Sequence, residues 1–243
     1  MNQSTIRRVA AGAVALTAVA LTGCTITTDG FVDLDPGDRT SETRAISDVS
    51  AVRLATSGNM HVMVGDEPSL TITAGESVLE RITSEVSGGT LEIDMRGRWS
   101  NPGRIDYELV VSELDTLVIS GSGTISGGLG ATDSVVVDIP GSGDVRLDPL
   151  DVSDVAVTIA GSGTVTLEGR TDSLAVSVPG SGDFTGADLS SRTAVVSISG
   201  SGQARVNVQQ TLDASIAGSG RITYLGDPRV TSNITGSGHV GRA

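Results

Sequence analysis

Through the second half of the chain, apolar residues recur at every second position on both sides of a Gly-Ser-Gly triplet. The triplet itself recurs, beginning at Gly121, Gly141, Gly161, Gly180, Gly200, Gly218 and Gly236, at intervals of 18 to 20 residues. Two positions before each first glycine stand Ile119, Ile139, Ile159, Val178, Ile198, Ile216 and Ile234, and four positions before it Leu117, Val137, Val157, Val176, Val196, Ala214 and Ser232. Four positions after it come Ile125, Val145, Val165, Phe184, Ala204, Ile222 and Val240, whereas the column just before these is polar throughout, from Thr124 and Asp144 to His239. Alternation with period two predicts two strands per repeat, each burying one face. A unit of about 20 residues cannot bury that face alone, so the repeats are expected to stack, coil on coil, into a β-solenoid. Parallel strands about 4.8 Å apart would make seven repeats a stack of roughly 30 Å, with the Ile/Val columns as its spine. The pattern also sends the triplet serines outward and both glycines inward, to bends where only a residue without Cβ fits.

Residues 46–112 carry the same alternation less regularly. Ser57-Gly58-Asn59 stands where a triplet would, and Leu70-Thr71-Ile72 and Leu91-Glu92-Ile93 alternate as strands. Residues 76–86 fit a helical and a strand period alike and are assigned to strand and turn. The first 23 residues have the layout of a secretory leader, with Arg7 and Arg8 ahead of the short apolar run Val9 to Leu21. That run ends Leu21-Thr22-Gly23-Cys24, which resembles a bacterial lipobox, so Cys24 is expected to carry lipid and hold the protein to the outside of the cell membrane. Residues 24–45 are polar and aperiodic and read as a flexible tether. The organisation expected is therefore a leader over 1–23, a tether over 24–45 and one domain over 46–243, irregular over 46–112 and regular over 113–243.

Composition narrows the function. All sixteen basic residues are arginine and the net charge is −13, which excludes a nucleic-acid partner held through phosphate. One cysteine and two distant histidines, His61 and His239, offer no soft metal site, and no cofactor is implied. Thirty-two glycines against five aromatic residues argue against a globular enzyme core. The triplets lack the lysine and helix of a phosphate loop, and seven equivalent serines cannot share two distant histidines as a base. Asp144 and Asp183 lie two coils apart, about 10 Å, too far to share a calcium ion. Asp133, Asp154 and Asp172 are the better candidate ladder, with turn formation as their ordinary role. No catalytic residue is assigned. The candidate ligand patch is Trp99 and Tyr107 with Arg96, Arg98 and Arg104.

The tandem strand-Gly-Ser-Gly-strand units behind a lipoprotein leader resemble the head GIN domain family, whose members are described as auto-transporter adhesin heads. The resemblance covers residues 46–243. It implies an all-β, right-handed parallel β-helix and brings no catalytic residues with it. No translocating barrel is evident, and a lipid anchor would take its place. The expected function is an extracytoplasmic, non-catalytic binding, adhesion or structural module of the cell envelope that meets a glycan or protein. The alternatives are a β-helical lyase or hydrolase acting on carbohydrate, and an envelope sensing or assembly factor. The terminal coil shows no polar cap, so self-association through it is a further expectation.

Overall fold

A computed structural model describes residues 36–97 and 101–243; the leader, Cys24 and the first part of the expected tether lie outside the described residues. The strands of the N-terminal region are β1 (Arg39–Ala45), β2 (Ala51–Leu54), β3 (Asn59–Val64), β4 (Ser69–Gly75), β5 (Ile82–Ser87), β6 (Thr90–Met95) and β7 (Asp106–Val111), with one helical turn, α1 (Glu76–Leu79). The regular coils follow as β8 (Thr116–Ile119), β9 (Thr124–Gly127), β10 (Ser134–Ile139), β11 (Asp144–Leu147), β12 (Leu150–Ile159), β13 (Thr164–Val178), β14 (Asp183–Ile198), β15 (Gln203–Gly218), β16 (Arg221–Leu225), β17 (Arg229–Gly236) and β18 (His239–Arg242). The parallel solenoid is as the alternation predicts. The strands before the triplets stack in the order β8, β10, β12, β13, β14, β15, β17, and those after them β9, β11, β13, β14, β15, β16, β18, every pair parallel. The inward columns form a continuous core, with Ile119, Ile139, Ile159, Val178 and Ile198 fully buried. Phe184 fits this aliphatic spine because its register partner is Ala204 and its ring lies over Gly186.

The triplets sit at the corner between the two strand sets, and their serines are exposed. The second glycine is buried as expected in every triplet but the last, where Gly238 is half-buried; the first is half-buried, or exposed at Gly236, and crowding from the interior does not explain it. The cause lies along the stack. The Ser162 N–H donates to the Gly141 carbonyl at 3.3 Å, and the Ser181 N–H to the Gly161 carbonyl at 3.1 Å, so the coils hydrogen-bond through their corners. A Cβ on Gly161 would run into that same Gly141 carbonyl, and one on Gly163 into the Gly143 carbonyl and the Ile139 Cγ2 methyl. At Gly161 and Gly163 glycine is required by close backbone approach, at ordinary negative φ, whereas Gly218 and Gly236 also take φ of 136° and 117°.

The N-terminal region departs from the expectation of further coils laid down in order. Ser57-Gly58-Asn59 does act as a triplet, since the Thr124 N–H donates to the Gly58 carbonyl at 2.8 Å and β2 and β3 pair with β8 and β9. After β3, however, the chain passes to the outer side of this coil, where β6 and β7 pair with β2 and β3, and then returns across it to β8. Antiparallel strands close the stack beyond: β5 on β6, β4 on β7, and β1 on β4. The tether assignment is corrected over its last part, because Arg39–Ala45 is β1, paired along its length with Ser69–Gly75. Its polar composition belongs to an exposed edge strand whose Ser41 and Thr43 hydroxyls bond those of Thr73 and Thr71 at 2.8 and 3.0 Å. Residues 76–86 are likewise not strand and turn alone, since α1 buries Val78 and Leu79 before β5 begins.

Candidate functional site

Of the five-residue ligand patch, Arg96, Arg104 and Tyr107 fall among the described residues. Tyr107 is 1% exposed, and its hydroxyl hydrogen-bonds the Thr56 hydroxyl at 2.9 Å, so it is a core residue of β7 rather than a ligand-facing aromatic. The period-two run Tyr107, Leu109, Val111 is the signal that could have placed it inside. Arg104 is exposed and bound to Asp106 at 2.9 Å, and the Arg96 N–H is held by the Arg81 carbonyl at 3.0 Å. Arg98 and Trp99 lie outside the described residues.

A strip of outward residues beside a groove lies on the regular coils. On the outer face of the strands before the triplets, Val136, Ala156, Ala175 and Val195 fall in register across four coils. Val136 and Val195 are 41% and 57% exposed, which makes an apolar strip along the stack. Hydroxyl ladders border it: Thr158, Ser177, Ser197 and Ser215 on one side, with Asp138 in the Val136 coil, and Ser134, Ser173, Thr193 and Thr211 on the other, interrupted by Asp154. At the start of these strands the surface drops into a groove of about 540 Å³ lined by Asp133, Asp151, Val152, Ser153, Arg170, Thr171, Asp172, Ser190, Arg192 and Gln209. The groove is built where the chain turns into the strands that precede the triplets. Buried hydroxyls fix that turn: Thr171 Oγ1 donates to the Ser153 and Ser173 carbonyls at 3.0 and 3.1 Å, and Ser191 Oγ to the Asn207 carbonyl at 3.0 Å.

Charge in the groove is paired between adjacent coils. Arg170 lies 4.0 Å from Asp151, and Arg192 lies 3.3 Å from Asp172, all four side chains well exposed. Exposed pairs of this kind hold together weakly and can exchange their bonds with a ligand. The candidate calcium ladder is not assembled, because Asp154 pairs in register with Ser134 and Ser173, one residue out of step with Asp133 and Asp172. Among the described residues no three His, Cys, Asp or Glu side chains come close enough to hold a metal ion. Asp144 and Asp183 fall on either side of Thr164 in register, and the Asp144 carboxylate accepts the Thr164 N–H at 3.0 Å. What the surface can do is bind: guanidiniums and carboxylates beside a strip of small apolar groups rimmed by hydroxyls. Five positions before the four middle triplets, at Val136, Ala156, Ala175 and Val195, the outward column turns apolar where Thr116, Asp213 and Thr231 keep it polar in the other coils, and that was the signal for it.

Fold and surface together define a β-solenoid binding module. The chain belongs to the head GIN domain family, whose model, described as "Putative auto-transporter adhesin, head GIN domain", matches residues 48–228. Membership makes adhesion or binding, at a surface-exposed location, the coarse function. Solved structures share the fold. A "putative adhesin" from Bacteroides fragilis is 20% identical with a TM-score of 0.79, over 85% of this chain and 97% of that one. A "putative lipid binding protein" from Parabacteroides distasonis is 25% identical with a TM-score of 0.68, over 87% and 99%. A "putative adhesin" from the same species is 20% identical with a TM-score of 0.65, over 85% and 98%. No curated protein matches the sequence.

Proposed function

We propose that this chain is an extracytoplasmic lipoprotein, anchored to the cell membrane through lipid on Cys24, whose solenoid is a non-catalytic adhesion module for an envelope glycan. The observation that carries the reading is the apolar strip from Val136 to Val195, rimmed by hydroxyl ladders and opening into the charged groove. A pyranose chain has the complementary character, with apolar C–H faces and a periphery of hydroxyls that donate to carboxylates and accept from guanidiniums. Asp151 and Asp172 each lie beside an arginine of the adjacent coil, and that arrangement favours holding a polar ligand over the convergent carboxylates that glycoside hydrolysis uses.

Two measurements test this. Replacing Cys24→Ala should move the protein out of the membrane fraction, and continued retention would refute the anchor. The purified full chain should co-sediment with isolated cell-wall polysaccharide, and Val195→Asp or the pair Arg170→Ala and Arg192→Ala should weaken binding about tenfold. Binding that ignores these changes removes the face from the proposal, and release of new reducing ends from the polysaccharide would turn the function to catalysis.

A further inference from the structure

We propose that the outer face of the strands after the triplets carries a second binding site, between Arg205 of β15 and Arg221 of β16, for a single doubly charged oxyanion of the kind a phosphomonoester presents. Parallel register sets Arg205 beside Thr185 and Thr223, and Arg221 beside Gln203. The two arginines are therefore diagonal neighbours on adjacent coils, roughly 8 Å apart at Cα from strand spacing and rise, and side chains of that length can close on one ligand. Both line a groove of about 250 Å³, together with Asp183, Thr185, Gln203 and Thr223. Strand β16 is itself covered by β18, so the site lies within the stack. It is on a different side of the coil from the apolar strip and stands or falls apart from it.

These guanidiniums are left without neutralisation by the protein. Arg39, Arg104 and Arg192 lie 2.8, 2.9 and 3.3 Å from a carboxylate, whereas neither Arg205 nor Arg221 makes an ion pair or a side-chain hydrogen bond among the described residues. The acid that lines the groove, Asp183, is in register with Gln203 and two coils from Arg221. In a chain of net charge −13, two like charges side by side cost stability unless an anion bridges them. A phosphomonoester matches them, with a charge of about −1.5 to −2 at neutral pH and three strong acceptor oxygens. Each guanidinium can meet two of those oxygens, and the Thr185 and Thr223 hydroxyls and the Gln203 amide supply further donors. A polyanion laid along the same face is disfavoured, because the row that runs through Gln203 to Arg221 carries Asp144 and Asp183 in earlier coils. The face thus selects one compact oxyanion.

Calorimetric titration of the purified full chain at low salt, with inorganic phosphate and with glucose 1-phosphate, should show saturable binding. Arg205→Gln and Arg221→Gln should each weaken it about tenfold, and the pair should abolish it. Circular dichroism of these variants should match the parent's, since both side chains are exposed. Arg146→Gln, which removes a single guanidinium on the same face beyond the Thr166 and Thr185 coils, should leave binding unchanged. Glucuronate, with one negative charge, should bind about tenfold more weakly than glucose 1-phosphate. Tighter binding of the ester than of inorganic phosphate would assign the site to a phosphorylated sugar, and equal binding to the free anion. No saturable binding of either probe below about 10 mM, glucuronate bound as tightly as the ester, or a loss at Arg146 as large as at Arg205 and Arg221 would each overturn the proposal.

Discussion

The two halves of the solenoid reach the same cross-section by different means. In the regular coils each layer rests on a near copy of itself, and the contacts that set the spacing are backbone to backbone: Ser N–H to Gly carbonyl at the corner, Ile on Ile within. In the N-terminal region, layers of unlike sequence are joined by particular side chains. Arg39, Arg104 and Asn59 converge on Asp106, Arg44 reaches the Ile82 carbonyl and Ser84, and Thr56 meets Tyr107. Repetition makes the regular coils intolerant of added atoms at their corners. The N-terminal region depends on individual bonds, each worth less.

The largest effect is therefore expected at a triplet. Gly161→Ala would place a Cβ against the Gly141 carbonyl, which already accepts the Ser162 N–H, so neither neighbour can yield without opening the coil spacing. A loss on the order of 3 kcal/mol is expected in chemical denaturation. Gly128→Ala is the control, because its Cβ would meet only Asp148 Oδ2 at 3.4 Å and Val64 Cγ2 at 3.5 Å, and it should stay within about 0.5 kcal/mol of the parent. Equal losses at the two positions would mean that coil contact does not set the requirement, since alanine acting through the unfolded chain alone would stabilise.

That contrast also explains what the sequence could reveal. Columns such as Ile119 to Ile216 declare the regular stack because the same residue type meets itself every 18 to 20 positions. Stack order in the N-terminal region is invisible to the same reasoning. Val52 with Leu54, Leu91 with Ile93 and Leu117 with Ile119 offer matching apolar pairs, and nothing in alternation says that the first lies between the other two. Strand β1 was hidden for another reason, as Arg39–Ala45 buries no apolar face and is held by its backbone pairing with β4, by hydroxyl pairs and by arginines. The groove arises from turns whose lengths vary between coils, so aligning on the triplets puts Asp133 and Asp172 in one column, Asp154 in the next, and leaves the hollow between them unseen.

A middling effect is expected at Tyr107, where the N-terminal region relies on one buried bond. Tyr107→Phe keeps the ring, which lies against Gly58, a residue at φ 120° that only glycine adopts readily, but leaves the Thr56 hydroxyl without its partner. The expected loss is about 1 to 2 kcal/mol. Burial also pushes the Tyr107 hydroxyl up to about 12, against the opposing bond from Thr56 and the charge of Arg44. A group whose pKa rises on folding stabilises the fold fully below its unfolded value, here 10, and loses that contribution as pH rises toward 12. Stability of the parent should thus fall between pH 10 and 12, and the Phe variant should lack that slope; matching slopes would place the alkaline transition elsewhere.

The smallest effect is expected at Asp106, where the N-terminal region gathers its charges at the surface. Burial pushes this carboxyl up, but hydrogen bonds from Arg104, Arg39 and Asn59 outweigh it, together with the charge of Arg104, and hold it below the usual carboxylate range. A depressed carboxyl pKa contributes stability that is present above the unfolded value of 3.8 and is lost as pH falls through the lower folded value. Asp106→Asn keeps the size and one acceptor oxygen but removes the charge, so at neutral pH it should cost about 1 kcal/mol, less in high salt. The two proteins should converge in stability as the pH drops below 3.8, where the parent's carboxyl also becomes neutral. A gap that persists unchanged in acid would assign the loss to packing around β1, β3 and β7 and not to the charge that joins them.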